Sequence, residues 1–190
     1  MGGSNEVSLA SITKKPEVAD TSFGHFSLGL RGELGENGYK AIGPEIKIAA
    51  SLIPVFSPTG MIKIEPYARF SLLRGQENGS YDNNMENPFS PLPSKFNNIE
   101  AGGGIQINLT LFSPLLQTQY NVKVGTEAGY SSHETAYVQP LSVEAGINIP
   151  RTPIILEAGI AYLLQLKRLE ARPISVNNGV SITAKAMVTF

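Results

Sequence analysis

Three side chains capable of nucleophilic chemistry lie within one short stretch of the sequence. Ser131, His133 and Glu134 offer a hydroxyl, an imidazole and a carboxylate. A serine nucleophile needs a base within hydrogen-bonding reach and a third group that orients the base. Neighbours in a loop rarely meet that geometry, and this stretch lacks the alternation of a strand. We therefore expect no catalysis, and these three residues are the candidates that a catalytic role would have to use.

A larger set of reactive side chains consists of charged residues that alternate with apolar ones along the chain. Such a set could form an acid–base site or a proton path. It contains seven cations and seven carboxylates, and a closed interior requires that balance because an unpaired buried charge is costly. The pattern therefore favours a structural network of ion pairs, made of Arg31, Glu33, Glu45, Lys47, Lys63, Glu65, Arg69, Glu100, Lys123, Glu127, Glu144, Glu157, Lys167 and Lys185.

The elements that must position these charges have a period of two, which is typical of β-strands. Short connections between successive strands predict an antiparallel up-and-down meander that closes into an eight-stranded barrel. We expect a barrel domain over 23–190, preceded by a tail over 1–22 whose first four residues resemble a cloning remnant rather than a signal peptide. The predicted strands cover about 23–35, 43–53, 61–73, 99–111, 119–130, 141–149, 156–167 and 180–190.

Two features indicate that the charged face points inward and the apolar face points to lipid. The charged face is rich in glycine, and eight strands enclose an interior just wide enough for side chains. Connections after strands two, four and six are tight and contain proline, whereas the others are predicted to be longer, as in outer-membrane barrels. The sequence therefore predicts a transmembrane barrel with a polar, salt-bridged interior and with no charge on its apolar face.

The last strand carries a more specific signal. Its apolar positions alternate with mostly polar ones, and the sequence ends on the aromatic Phe190. This stretch resembles the C-terminal strand of bacterial outer-membrane barrels, although Ala184 and Ala186 replace bulkier residues. The resemblance implies that Phe190 is an assembly signal read by the barrel assembly machinery. The alternating apolar residues are Val180, Ile182, Ala184, Ala186, Val188 and Phe190.

The whole pattern resembles the small eight-stranded barrels typified by outer membrane proteins A and X. That resemblance implies a bacterial outer-membrane location, contact with outer-membrane lipids and lipopolysaccharide, and a structural, adhesion or envelope-integrity role without a large pore. The polar segment 74–97 is the candidate for an extracellular partner.

Composition limits the remaining possibilities. The net charge of −1 offers no case for a nucleic-acid partner, and the absence of cysteine excludes thiolate metal sites and disulfides. No cofactor motif or metal-ligand spacing is present, so we expect neither. Two alternatives stay open. One is a lipid A-modifying outer-membrane enzyme that uses Ser131, His133 and Glu134, and the other is a soluble lipocalin-like barrel that binds a small hydrophobic ligand inside.

Overall fold

The computed structural model of this chain describes residues 24–35, 38–57, 60–77, 94–113, 115–132, 135–167 and 175–190. Its strands, numbered in chain order, are β1 (Gly24–Leu34), β2 (Lys40–Ala50), β3 (Leu52–Ser57), β4 (Gly60–Glu77), β5 (Ser94–Ser113), β6 (Thr118–Ser131), β7 (Thr135–Asn148), β8 (Ile154–Lys167) and β9 (Ser175–Thr189). In the described residues, no helix is long and apolar enough to cross a membrane.

Each strand pairs antiparallel with its neighbour, and β1 pairs with β9, so the sheet closes on itself. Both β2 and β3 pair with β4. They act as one barrel strand that is interrupted at Ser51, with a register shift between Leu52 and Val55. Pro54 lies in that shift and has no N–H to donate to a ladder. The result is a closed eight-stranded up-and-down barrel, as the sequence predicts.

Polar side chains line the inside of this barrel and apolar side chains cover the outside. On β2, Glu45 and Lys47 are 1% and 3% exposed, whereas Ile42 and Ile48 are 61% and 58% exposed. From Ile62 to Leu72, the outward row of β4 spans about 25 Å along the barrel axis at the usual rise of about 3.3 Å per residue and tilt of about 40°. An apolar band of that height matches a bilayer core. The fold is a transmembrane barrel with a polar, salt-bridged interior.

Glycine makes room for the long interior side chains. A Cβ at Gly102 would lie 2.3 Å from Tyr137 Oη and 2.6 Å from Glu127 Oε1, and one at Gly129 would lie 2.5 Å from the same hydroxyl. Both positions therefore require the absence of a side chain. This crowding agrees with the size limit that eight strands place on the interior.

The structure corrects three predictions. The alternative with apolar residues inside is wrong, because those residues face outward. The predicted loop 74–97 is too long, because its residues 74–77 and 94–97 belong to strands β4 and β5 and pair with each other. With the strands lengthened, Lys40, Arg74 and Lys95 also stand on the outward face, so the prediction that this face carries no charge is wrong.

The predicted alternation of tight and long connections is only partly right. Residues 78–93 and 168–174 do make the longer links, at the end of the barrel opposite Phe190. At that same end, residues 35–39 and 132–134 form links no longer than the 149–153 turn at the other end. Turn residues such as Asn and Ser predict where a chain reverses better than they predict the length of the loop.

Candidate functional site: the charged barrel interior

Two arginines from the strands on either side of β2 meet at one carboxylate in the barrel interior. Arg31 of β1 and Arg69 of β4 each place Nη1 2.9 Å from the same Oε2 of Glu100 on β5. Arg31 Nη2 also lies 3.0 Å from Glu33 Oε2, and Arg69 Nε lies 2.7 Å from Glu127 Oε1. We call this group the arginine cluster. Its members come from four strands, so it crosslinks the barrel wall from inside.

Two tyrosines complete the hydrogen bonding of Glu127. The Tyr137 hydroxyl donates to Oε1 at 2.5 Å, and the Tyr67 hydroxyl donates to Oε2 at 2.8 Å. Arg69 Nη2 in turn donates to the Tyr137 oxygen at 3.0 Å. Both carboxylate oxygens therefore have partners, which is the condition under which a buried charge is tolerated.

Glu45 links the arginine cluster to the lysines beside it. Its Oε2 lies 3.5 Å from Arg31 Nη1 and 3.7 Å from Arg69 Nη1, and it accepts a hydrogen bond from Ser71 at 3.3 Å. Its Oε1 lies 3.7 Å from Lys185 Nζ. Because Glu45 is 1% exposed, these neighbours replace the water that it would have in solution.

Three lysines form the second half of the network. Lys185 donates to Glu144 Oε1 at 2.6 Å, and Lys123 pairs with Glu157. Lys47 differs from both, since no carboxylate among the described side chains forms an ion pair with it. We call Lys47, Lys123 and Lys185 the lysine cluster.

Lys47 contacts two neutral side chains in place of a carboxylate. Its Nζ donates to Gln106 Oε1 at 2.9 Å and stands 4.1 Å from the centre of the Tyr67 ring. The Gln106 amide then donates to Glu65 Oε2 at 2.7 Å. The Tyr67 ring supplies a cation–π contact. The Gln106 side chain bridges Lys47 and the carboxylate of Glu65 by hydrogen bonds to both.

Almost no free volume is left between the two clusters. The cavity that Lys47, Arg69, Lys123, Glu144 and other interior residues line has a volume of about 20 Å³. That is enough for one water molecule. This cavity is too small for a substrate.

The structure brings most of the predicted interior residues together in this network. Lys63 is also buried, at 7% exposure, whereas the side chain of Lys167 lies outside the described residues. Sequence reasoning missed the roles of Tyr137, Gln106 and Asn98. Tyr137 lies before the predicted strand 141–149, and a register shift between Val138 and Leu141 separates it from the inward row that continues from Ser142. A period of two extended back from Ser142 would place Tyr137 on the outside, so the sequence carries no signal for its inward position.

Ser131 belongs to the interior network and faces away from any loop-side substrate. It is 1% exposed, and its hydroxyl donates to Asn98 Oδ1 at 2.9 Å. Its neighbour Ser132 accepts a hydrogen bond from the Ile99 N–H at 2.9 Å. His133 and Glu134 lie outside the described residues. The buried hydroxyl of Ser131 is therefore unsuited to attack on a lipid outside the barrel.

Phe190 extends the seam between β9 and β1. Its N–H donates to the Phe26 carbonyl at 2.9 Å, and the Phe26 N–H donates back at 3.4 Å. The two rings are 6.1 Å apart, and Phe190 is 75% exposed. The side chain thus lies on the outer surface at the end of the barrel that holds the tight turns.

Among the described residues, no group of three or more His, Asp or Glu side chains has the arrangement of a metal site. The carboxylates in the interior are occupied by Arg, Lys, Tyr and amide donors. These contacts join most of the described interior charges in a network of ion pairs and hydrogen bonds.

Comparisons with known proteins give only remote matches. No protein-family model matches the chain, and no curated protein matches it. Among solved structures it is similar to Ail, the attachment invasion locus protein of Yersinia pestis, in complex with the heparin analogue sucrose octasulfate. That match has 13% identity, covers 88% of this chain and 97% of that one, and has a TM-score of 0.39.

A second Ail structure from Yersinia pestis gives 11% identity, the same coverage of 88% and 97%, and a TM-score of 0.32. Values this low transfer no function to this chain. The strand count, the closed antiparallel order and the inside-out polarity nevertheless confirm the predicted resemblance to small eight-stranded outer-membrane barrels at the level of the fold.

Proposed function

We propose that this protein is an integral barrel of a bacterial outer membrane, where it serves as a non-conducting anchor. The observation that carries the proposal is the pairing of an apolar exterior with an interior filled by ion pairs around a cavity of about 20 Å³. An exterior of exposed Leu, Ile, Val and Phe is stable against lipid, and a packed interior does not pass ions.

The end of the barrel opposite Phe190 is the one that would present a surface to the outside. Outer-membrane barrels keep their short turns on the periplasmic side. The start of the first barrel strand and the end of the last lie on that side as well. Here β1 begins and β9 ends at the same end of the barrel at which residues 58–59, 114–117 and 149–153 connect neighbouring strands. Residues 78–93, the longest link, would therefore be extracellular, and an adhesion or envelope-integrity role would act through them.

An enzymatic role for the Ser131 region has less support. The Ser131 hydroxyl is buried and hydrogen-bonded to Asn98, and covalent catalysis needs that oxygen free to reach both a base and a substrate. The proposed role as an anchor requires no such access. It requires only that the barrel insert, stay closed and hold its outer end rigid.

Gel mobility and conductance test the proposal together. The unfolded chain is added to detergent micelles or to plain buffer, and then run with and without boiling. We expect a fast-migrating form only with detergent, which slows after boiling. In a planar bilayer, the folded protein should give no steps of the size that an open porin gives. A folded, monodisperse protein in plain buffer, or stable large channels, would contradict the proposal.

The role of residues 78–93 needs a separate test. A variant in which a short Gly-Ser link replaces them should fold with the same heat-dependent mobility, because the ladder between β4 and β5 ends at Glu77 and Ser94. Binding of cells that carry the protein to host matrix should fall in this variant. Equal binding by both proteins would overturn adhesion through this segment while leaving the anchor role intact.

A further inference from the structure

Among the described side chains, charge occurs on the outer wall of the barrel at one place. Within the strands, the described charged side chains that point outward are Lys40 on β2, Arg74 on β4 and Lys95 on β5, and all three are exposed. We call them the cationic rim. Lys40 pairs in register with Gln76, and Gln76 pairs with Lys95, so these two lysines share one row. Arg74 occupies the adjacent outward row, opposite Ile42.

The cationic rim lacks counter-charges from the described part of the chain. No described carboxylate forms an ion pair with Lys40, Arg74 or Lys95, in contrast to the arginines inside. The two lysines are two strand spacings apart, which corresponds to about 10 Å. Three cations at that separation repel one another, so an anion from outside the chain would stabilise them.

Directly beside the rim, the apolar wall has an open groove of about 530 Å³. Its lining includes all three rim cations together with Gly32, Leu34, Ile42, Ile182 and Ala184. Glu33 also lines it, but this carboxylate is buried and pairs with Arg31 inside the barrel. Gly32 of β1 pairs with Ala184 of β9 and with Ile42 of β2, so two small residues stand between branched apolar ones. A Cβ at Gly32 would meet only the Ala184 carbonyl oxygen, at 3.8 Å. The groove is therefore space on the lipid side that a larger residue would fill.

We propose that this groove binds one membrane lipid with more than one phosphate on its headgroup. The phosphates contact the cationic rim, and an acyl chain lies in the groove over Gly32 and Ala184. Charge complementarity selects the anion, because the rim holds one sign only. The apolar floor selects the chain, and the position at the end of the outward apolar band puts headgroup and chain at the depths where a bilayer holds them. This inference rests on the proposed membrane insertion.

Native mass spectrometry of the full chain, folded in a non-ionic detergent, measures this binding. The probes are lipid A with two phosphates, its form with one phosphate, and inorganic pyrophosphate. We expect one bound lipid with two phosphates, binding about fivefold weaker for the form with one phosphate, and much weaker binding of pyrophosphate. Equal binding of the two lipids, or pyrophosphate binding as tightly as the lipid, would overturn the proposal.

Variants separate the rim from the groove. Replacing Lys40, Arg74 and Lys95 together by Gln should weaken lipid binding by about 100-fold, at about fivefold for each cation. Gly32→Leu should fill the groove and weaken lipid binding at least about tenfold while leaving the charge intact. The matched controls are Arg151→Gln, an exposed cation in a turn at the other end, and Ala128→Leu, an outward small residue on β6. Both controls should bind as the parent chain does.

Gel mobility of each protein shows whether it has folded, and single Gln variants replace the triple variant if that one does not fold. Lipid binding that falls equally in the controls, or that survives both the triple variant and Gly32→Leu, refutes the site. Failure of the parent chain to fold in detergent refutes the proposed function instead. A folded parent chain that binds no lipid refutes this inference alone.

Discussion

The inner and outer walls of this barrel treat charge in opposite ways. Inside, Arg69 has three carboxylates within 3.7 Å, and each of its nitrogens has a partner. Outside, Arg74 stands on the same strand, exposed and without an ion-pair partner among the described side chains. A buried charge has lost its water and must be compensated by the chain, whereas an exposed one can take its counterion from the surroundings. Arginine is therefore a structural residue on the inner wall, and on the outer wall it is free to bind an anion from the surroundings.

The largest expected effect comes from removing a cation from the inner wall. Arg69→Met removes the ion pair between Arg69 and Glu127 and leaves Glu100 paired with Arg31 alone, and breaking a buried pair from one side costs about 3–5 kcal/mol. We expect that loss in the free energy of unfolding, measured by circular dichroism in lipid vesicles against urea. Arg74→Met on the same strand is the control and should change it by less than about 0.5 kcal/mol. Similar losses in both variants would erase the contrast between the walls.

A charge placed on the outer wall should be nearly as disruptive, though for a different reason. Ile105 is 54% exposed and lies near the middle of β5. In lipid, Ile105→Arg should cost about 2–4 kcal/mol, the cost of a cation at the bilayer midplane. The Thr126→Lys variant, at the neighbouring outward position on β6, gives a second measurement of the loss of stability at similar depth. A stability unchanged by both substitutions would mean that water covers this wall.

A smaller effect is expected from a single hydroxyl in the interior. Tyr137→Phe removes the donor to Glu127 Oε1 and the acceptor for Arg69 Nη2. Hydrogen bonds to charged groups contribute about 1.5–3 kcal/mol, so we expect unfolding to be easier by that amount. Tyr130→Phe, on the exposed side of β6, should be close to neutral. If the two variants were equally stable, Tyr137 would contribute to stability through the packing of its ring and not through its hydroxyl hydrogen bonds.

The smallest predicted difference concerns glycine on the two walls. Gly102→Ala forces a methyl group against Tyr137 Oη and Glu127, so it should destabilise by about 1–3 kcal/mol. Gly32→Ala enters open space on the outer wall and should be neutral or slightly stabilising, by about 0.4–1 kcal/mol, because Ala has less freedom in the unfolded chain. The same urea titration compares the two. Equal changes in stability for the two variants would show that the interior can accommodate an added methyl group.

Much of this architecture follows from periodicity in the sequence. The alternation of Glu45 and Lys47 with Ile46 and Ile48 predicts which residues face inward, and a one-residue slip would turn every charge toward lipid. Register is therefore strongly specified in the middle of each strand. That is why the strand count is correct and why the predicted interior charges that the structure describes face inward.

The strand ends were less predictable for a physical reason. Beyond Leu72 the outward residues of β4 are Arg74 and Gln76, and the inward ones are Leu73 and Gly75. The alternation of apolar outside and polar inside therefore ends there, although the backbone ladder to β5 continues. The same loss of contrast hid Lys40 and Lys95, and with them the cationic rim. The ion-pair partners were also beyond the sequence, because Glu100 joins Arg31 to Arg69 only through the closure and stagger of the barrel.

The most direct test of the account is the environment of one outward side chain in the folded protein. The sequence has no cysteine, so a single Cys at Ile105 or at Leu116 in the β5–β6 turn takes one nitroxide spin label. In vesicles, the label at Ile105 should collide with oxygen and be shielded from a water-soluble nickel chelate, and the label at Leu116 should show the reverse. Free access of the chelate to Ile105 would contradict a lipid-facing outer wall.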